Sequence, residues 1–147
     1  MSLVSSEIEI AASKERIWEA LADFTKVIDW NPFLSEAHGV GGILRGVGAG
    51  RSCTTADGSV IEEFVTGWTE GEALEWRVTG MSDSPPSVCT MTIGDDGTTL
   101  RFEVDFEGDL SPEQQEGAKQ QMGPMVESLL RAFKHFVETG ERMPIAA

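Results

Sequence analysis

The chain has 147 residues, 40% hydrophobic and 24% charged, which is ordinary for one globular domain with a sizeable core. Its 11 basic and 25 acidic residues give a net charge of −14, which argues against electrostatic binding of nucleic acid or of an anionic membrane. Two cysteines, Cys53 and Cys89, match no metal-binding spacing and are too few for a disulfide scaffold. The sequence shows no signal peptide and no apolar run near the ~20 residues of a membrane span, so we expect a cytoplasmic protein.

The first part of the chain predicts one strand and two short helices. In residues 4–10, apolar side chains and glutamates point to opposite faces, which is typical of a half-buried strand. Ser13 can cap the helix that follows. Residues 23–32 are expected to form a second short helix, which Pro32 helps to end.

From Phe33 onward the apolar pattern has a period of two, which predicts six strands joined in succession. Asp-Gly pairs at 57–58 and 96–97 are hairpin turn signals. The many glycines of residues 39–50 predict a mobile or tightly turned connection, and residues 82–86 predict another loop. The predicted strands are 33–40, 50–55, 59–68, 73–79, 87–93 and 100–107.

The last part of the chain predicts a long amphipathic helix over residues 111–139. Ser111 can cap it, Pro112 suits its first turn, and Gly140 can end it. The Gly-Pro pair at 123–124 predicts a kink, because proline removes a helical hydrogen bond, although two helices in tandem would also fit. The apolar face comprises Ala118, Met122, Met125, Val126, Leu129, Leu130, Phe133, Phe136 and Val137.

This order of elements predicts an α+β fold. Consecutive hairpins imply an antiparallel sheet, and helices at the two ends of the chain argue against a doubly wound α/β fold. The strands carry one polar and one apolar face, so one layer must cover the apolar face. The C-terminal helix is the only predicted element large enough for that role. We expect residues 1–147 to form one domain.

Several stretches, spread along nearly the whole chain, match the motifs of a known family in the same order. They are residues 13–24, residues 29–33, Gly46-Val47-Gly48-Ala49-Gly50-Arg51, the Ala56-Asp57-Gly58 turn followed by Glu62-Glu63, and Gly123-Pro124. Together they resemble the START-like, Bet v 1-like superfamily, and more narrowly its bacterial polyketide cyclase/dehydrase-like (SRPBCC) branch. The resemblance implies a helix-grip fold, in which a curved seven-stranded antiparallel sheet wraps the C-terminal helix around an internal cavity. Members include lipid carriers, hormone receptors and cyclases.

Short motifs of well-known enzyme classes are missing from the sequence: G-x-S-x-G, H-E-x-x-H, the P-loop and C-x-x-C. The glycine-rich stretch lacks a complete dinucleotide motif, and we interpret it as a flexible loop at the cavity rim. The first hypothesis is a carrier or sensor, monomer or homodimer, that binds a lipid, polyketide or aromatic compound without a metal or cofactor. The second is an enzyme of the cyclase/dehydratase type, and the third is a protein-interaction module.

Three residues are candidates for acid–base chemistry: Glu62, Glu63 and His38. The two glutamates are adjacent on a predicted strand, so they point to opposite faces, and the sequence leaves open which one faces the cavity. Burial in an apolar cavity raises the pKa of a carboxyl group and makes it usable as an acid or base, whereas solvation of both would be structurally ordinary. His38 can face the cavity mouth or solvent. Arg77 is either an anchor for a ligand carboxylate or a plain outer-face charge.

The remaining candidates are apolar side chains expected between the sheet and the long helix. Such residues usually fill a core, but the fold implied by the resemblance keeps a void there, and methionines suit a tolerant pocket. The predicted ligand-binding residues are Trp30, Phe33, Phe64, Trp76, Arg77, Met91, Phe102, Met122, Met125, Val126, Leu129 and Phe133.

Overall fold

Seven antiparallel strands form one sheet in the order β1-β7-β6-β5-β4-β3-β2 in the computed structural model, which describes residues 3–80 and 85–144. Most of the predicted loop at 82–86, residues 82–84, lies outside the described residues. The predicted α+β helix-grip fold is confirmed. The strands are β1 (Val4–Glu9), β2 (Leu34–Val40), β3 (Gly50–Thr55), β4 (Val60–Thr69), β5 (Ala73–Thr79), β6 (Ser87–Ile93) and β7 (Thr99–Phe106), and the helices are α1 (Lys14–Ala22), a 3-10 helix (Phe24–Asp29) and α2 (Pro112–Thr139).

The first strand of the chain pairs with the last, so β1 and β2 form the two edges of the sheet. β1 lies antiparallel to β7, with Val4 opposite Val104, while every other pair joins strands that follow each other in the chain. The alternation of β6 is complete, since its buried side chains alternate with half-buried ones from end to end. Register shifts in β2 and in β4, between Val65 and Gly67, mark irregularities of the kind that bend a strand and add twist. The long strands therefore curve around the helix.

The two short helices differ from each other in regularity. α1 begins as predicted, because the Ser13 side chain accepts a hydrogen bond from the Arg16 backbone N–H, at 3.1 Å. Its apolar side is buried and brings the Trp18 ring 5.1 Å from that of Trp68. The second helix is shorter than the predicted 23–32, because Lys26 departs from helical geometry and only 3-10 turns form.

The long helix α2 is one continuous element, so the alternative of two tandem helices is wrong. A capping box links Ser111 and Gln114 at its start, and Gly140 ends it in a left-handed conformation (φ +79°). The helix continues through Pro124. One face of its C-terminal half is buried, through Val126, Leu130, Ala132, Phe133 and Val137, and this half packs mainly against β1. The first turns are exposed, so tertiary packing holds this helix chiefly by its second half.

The hydrophobic core lies between the sheet, α1 and the second half of α2. Its largest fully buried side chains include Phe133, Ile10, Ile17, Met91, Leu100 and Leu130. The turns of α2 before this region face β3 to β7 across a space that the core does not fill. Within residues 3–80 and 85–144, no helix has both the length and the hydropathy needed to cross a bilayer.

Candidate functional site

A cavity of about 400 Å³ lies between the sheet and α2. This volume is within the range of small-molecule sites, and most of the lining is apolar. Strands β3 to β7 form one wall, the middle turns of α2 form the other, and the segment after the 3-10 helix closes one side. The wall includes nine of the sequence-predicted residues: Trp30, Phe33, Glu63, Trp76, Phe102, Met122, Met125, Val126 and Leu129.

Two further predicted ligand residues lie in the core behind this wall. Phe133 is fully buried, and its ring stands nearly perpendicular to that of Trp30, with 5.1 Å between centroids. Met91 is 1% exposed and faces a much smaller void beside Trp76 and Phe24. Neither side chain lines the cavity, so the predicted cavity position is wrong for both. Phe133 instead supports the Trp30 ring that lines the cavity.

Four other candidates point away from the cavity. Glu63 and Val65 are buried, so alternation along β4 turns Glu62 and Phe64 to the outer face. His38 is exposed on β2 and does not line the cavity. The predicted cavity position of Phe64 is therefore wrong, whereas for Glu62 and His38, whose directions the sequence left open, the outward alternative is the one found.

Arg77 also lies on the outer face, where it binds Glu107 with two hydrogen bonds, the longer one of 3.0 Å between Nη2 and Oε2. The Arg77 guanidinium lowers the pKa of Glu107 mainly through these bonds. Both side chains are about two-fifths exposed, so the pair adds little stability. The outer-face alternative for Arg77 is thus the one found, and Arg77 does not line the cavity.

The glycine-rich connection between β2 and β3 is not at the cavity rim, which corrects that prediction. None of its residues 41–48, all of them described, lines the cavity. The loop instead reaches α1 through Arg45, which lies 3.5 Å from Glu19 and 3.8 Å from Glu70. It exposes Leu44 and Val47, the kind of apolar surface that the protein-interaction hypothesis requires. That hypothesis stays a prediction.

A buried ion pair of Arg51 and Glu63 lies in the sheet wall of the cavity. The Nε atom of Arg51 donates to Oε1 of Glu63 at 2.6 Å, and the two residues are only 6% and 8% exposed. The β3–β4 hairpin brings them together, because its register places Arg51 directly opposite Glu63. The buried charges in this wall therefore form a pair with no net charge, and Glu63 is not an isolated carboxyl group.

Further hydrogen bonds hold the buried ion pair in one geometry. Oε2 of Glu63 accepts from the Trp76 indole N–H at 3.1 Å, and the Cys53 thiol lies 3.7 Å from Oε1. Nη1 of Arg51 donates to the backbone carbonyl of Phe24 at 2.8 Å, and the guanidinium carbon lies 3.8 Å from the centroid of the Phe24 ring. These contacts offset the desolvation of the two charges, which an isolated buried pair would not achieve.

The two cysteines are poor nucleophiles in this environment. Burial, and then the negative charge of Glu63, raise the pKa of the Cys53 thiol to about 12. Burial likewise raises the pKa of Cys89, which lines the cavity. The two lie on β3 and β6, three strand spacings of ~4.8 Å apart, which is too far for a disulfide. In the described residues, no three His, Cys, Asp or Glu side chains are grouped to hold a metal.

Sequence reasoning missed a role for Arg51, which it named only as the last residue of the Gly46-Val47-Gly48-Ala49-Gly50-Arg51 stretch. A usable signal was present, because pairing residues outward from the three-residue turn Ala56-Asp57-Gly58, with Thr55 opposite Ser59, places Arg51 opposite Glu63. It also missed polar residues of the hairpin end, Thr55 and Ser59, which line the cavity together with Asp57. The other residues that reasoning missed in the wall are Asn31, Leu34, Ile61, Val78, Ser87, Cys89 and Val104.

A long C-terminal helix held against a curved antiparallel sheet, with an apolar cavity between them, defines a helix-grip protein. A family model described as "polyketide cyclase / dehydrase and lipid transport" matches residues 1–138. The chain belongs to this family. The START-like resemblance seen in the sequence is thereby confirmed.

Solved structures share this fold at low sequence identity. A START superfamily protein from Mycobacterium smegmatis is 22% identical with a TM-score of 0.74, over 91% of this chain and 95% of that chain. DynU16, from the dynemicin biosynthetic locus, is 21% identical with a TM-score of 0.69 over 94% of this chain, which spans only 48% of DynU16. Ara h 8.0201 is 15% identical with a TM-score of 0.66, over 90% of this chain and 95% of that chain. Comparison with curated proteins gives no match.

Proposed function

We propose that this protein binds a hydrophobic small molecule, a lipid, polyketide or aromatic compound, in the cavity between the sheet and α2, as a carrier or sensor. The observation that supports this most is the cavity itself, about 400 Å³ with mainly apolar walls. Protein interiors rarely contain voids larger than a water molecule, and an apolar void forfeits packing contacts. A ligand with an apolar body would restore those contacts.

The cavity mouth supports the same function. Phe33 and Met125 both line the cavity, yet each remains 38% exposed. Large apolar side chains that are partly exposed at an opening are typical of sites that a ligand covers. Met122 and Met125 also give α2 an adaptable surface that can pack against ligands of different shapes.

Titration with the neutral fluorescent probe N-phenyl-1-naphthylamine tests the proposal. We expect saturable binding of one probe per chain with enhanced emission, because the probe leaves water for an apolar cavity. Leu129→Trp fills the cavity and should weaken binding at least about tenfold, whereas Val60→Trp, at an exposed position outside the lining, should not. Absence of saturable binding, or equal binding by the two variants, would contradict the proposal.

A second candidate is an enzyme of the cyclase/dehydratase type that uses the same cavity. The position of Glu63 favours it, since this is the one predicted acid–base residue in the wall, and it lies beside Arg51. In such a reaction the Glu63 carboxylate would accept a proton from the carbon next to a substrate carbonyl. Arg51 would stabilise the negative charge that develops on the carbonyl oxygen.

Turnover of a reactive polyketone separates the two candidates. If the protein is an enzyme, Glu63→Gln should abolish pH-dependent turnover while the protein still binds the probe, and Glu62→Gln should retain full activity because that side chain is on the outer face. Probe binding without turnover by the native protein would favour the carrier or sensor.

A further inference from the structure

We infer that the cavity selects a ligand whose buried end carries an uncharged oxygen, a carbonyl or hydroxyl, and that Arg51 and Glu63 bind this oxygen in preference to a carboxylate. This inference rests on the proposed function, since it specifies the chemical class of ligand for the same cavity. It follows from the unused hydrogen-bonding capacity of the buried ion pair and from the charge balance of the cavity lining.

Arg51 has donors left for a ligand. A guanidinium carries five N–H groups, of which Nε binds Glu63 and Nη1 binds the Phe24 carbonyl. Among residues 3–80 and 85–144, no atom accepts a hydrogen bond from Nη2. In the same part of the chain, every fully buried side-chain nitrogen or oxygen has a hydrogen-bond partner. Nη2 therefore keeps some accessible surface, although Arg51 is only 6% exposed and lines the cavity. Arg51 lines this cavity and the much smaller void beside Trp76, and only the cavity has room for a ligand oxygen, so we assign the free N–H groups to it.

Glu63 has acceptor capacity left as well. A carboxylate offers about four lone-pair sites. Oε1 receives the Arg51 Nε and the Cys53 thiol, whereas Oε2 receives only the Trp76 indole N–H. A ligand hydroxyl can therefore accept from Arg51 and donate to Oε2 of Glu63, and a ligand carbonyl can accept from Arg51 alone. Either group would be satisfied at an otherwise apolar wall.

The charge balance of the lining disfavours a carboxylate at this position. Among the described residues that line the cavity, Arg51 is the one cation, while Glu63 and Asp57 are acids. Glu63 already lies 2.6 Å from Arg51, so a ligand carboxylate would be a buried charge without a counterion of its own. Burial of an unpaired charge is far more costly than burial of a hydrogen-bonded neutral oxygen.

Three ligands with one skeleton test the inference: naphthalene, 2-naphthol and 2-naphthoate, each competed against N-phenyl-1-naphthylamine at neutral pH, where 2-naphthol is uncharged. We expect native protein to bind 2-naphthol about tenfold more tightly than naphthalene, the effect of one hydrogen bond to a charged group, and to bind 2-naphthoate most weakly. Equal affinity for naphthalene and 2-naphthol would overturn the inference.

Glu63→Gln provides a test in which the ligand stays the same. It removes the buried negative charge and leaves Arg51 without its counterion, so 2-naphthoate should bind at least about tenfold more tightly than to native protein. Glu62→Gln changes the net charge equally on the outer face and should leave the affinity unchanged. If Glu63→Gln does not raise the affinity for 2-naphthoate, the inference is wrong.

A double variant keeps the test decisive if Glu63→Gln alone fails to fold. Arg51→Met/Glu63→Leu has neither the buried charges nor their hydrogen-bonding groups, so 2-naphthol should lose its advantage over naphthalene, and 2-naphthoate should bind as weakly as to native protein. Retention of that advantage by the folded double variant would overturn the inference. Failure of N-phenyl-1-naphthylamine to bind native protein would instead refute the proposed function. Probe binding without any end-group preference would refute this inference alone.

Discussion

Arg142 donates a hydrogen bond from Nη2 to the backbone carbonyl of Leu34, at 2.6 Å, and a second one to the carbonyl of Asn31, at 2.9 Å. Leu34 and Asn31 both line the cavity. Arg142 follows closely after Gly140, where α2 ends. The segment after the helix is therefore tied to the cavity wall by a charged donor, across more than 100 residues of chain.

We expect Arg142→Ala to lower the free energy of unfolding by about 1–2 kcal/mol, because two hydrogen bonds from a charged donor are lost at a partly exposed site. For a chain of this size, the loss corresponds to a fall in Tm of about 2–8 °C. Thermal unfolding followed by circular dichroism measures it. Arg131→Ala is the matched control, since Arg131 is exposed and bonds only Ser128 of its own helix. Equal shifts for the two variants would contradict a specific role for Arg142.

The buried ion pair should show strong non-additivity. Arg51→Met leaves Glu63 as a buried charge without its cation and should cost about 3–5 kcal/mol of unfolding free energy. Arg51→Met/Glu63→Gln removes both charges while an amide can still accept from Trp76, so it should be more stable than the single variant. Urea unfolding of the two variants and native protein makes the comparison. A double variant less stable than Arg51→Met would rule out the uncompensated charge as the cause.

The fold was largely predictable because its patterns are local. The predicted strands 73–79 and 87–93 coincide with β5 and β6, where period-two alternation is uninterrupted. The ends of α2 were predictable for a similar reason. Ser111 caps the first turn, Pro112 suits that turn, and Gly140 ends the helix, each through contacts within one turn. Local signals of this kind do not depend on what the rest of the chain does.

The faces of β4 were harder to predict, because alternation has no absolute direction and a register shift breaks it. Phe64 and Trp68 would share a face in a regular strand. The shift between Val65 and Gly67 instead leaves Phe64 partly exposed, while Trp68 packs against Trp18 in the core. The face on which Glu63 lies can be deduced only from the cross-strand register. That register places Glu63 directly opposite Arg51, so the two side chains share one face of the sheet.

Phe64 has a structural role on the outer face, where its ring covers Gly50. A Cβ atom at Gly50 would overlap this ring and lie 3.1 Å from the carbonyl oxygen of Val40. We therefore expect Gly50→Ala to destabilise the protein by about 1–3 kcal/mol through overpacking. Gly123→Ala is the control, because nothing lies within 4 Å of its added Cβ and alanine favours a helix interior by about 0.5–1 kcal/mol.

A double-mutant cycle tests whether the Phe64 ring causes the effect at Gly50. Phe64→Ala removes the overlapping atoms, so Gly50→Ala should destabilise the Phe64→Ala protein less than the native one. Chemical unfolding of the four proteins gives the coupling free energy. Strictly additive effects would show that the Val40 carbonyl, rather than the ring, limits the space at Gly50.

Acid stability should depend on Asp96, which organises the β6–β7 turn. Its carboxylate accepts hydrogen bonds from the Thr99 hydroxyl and from the backbone N–H groups of Thr98 and Thr99. These bonds, led by that of the Thr99 side chain, lower the pKa of Asp96 from 3.8 to about 2. Because the folded-state pKa is the lower one, this contribution to stability is present above about pH 4 and is lost as the pH falls towards 2.

Thermal unfolding at closely spaced pH values between 2 and 5 measures this contribution. Native protein should lose stability across this window, and Asp96→Asn should lose less, since the substituted side chain has no proton to bind. Asp95→Asn, one residue earlier and outside these hydrogen bonds, should keep the native pH profile. If Asp96→Asn and native protein lose stability in parallel, other carboxylates are responsible for the acid transition and the Asp96 turn does not contribute to it.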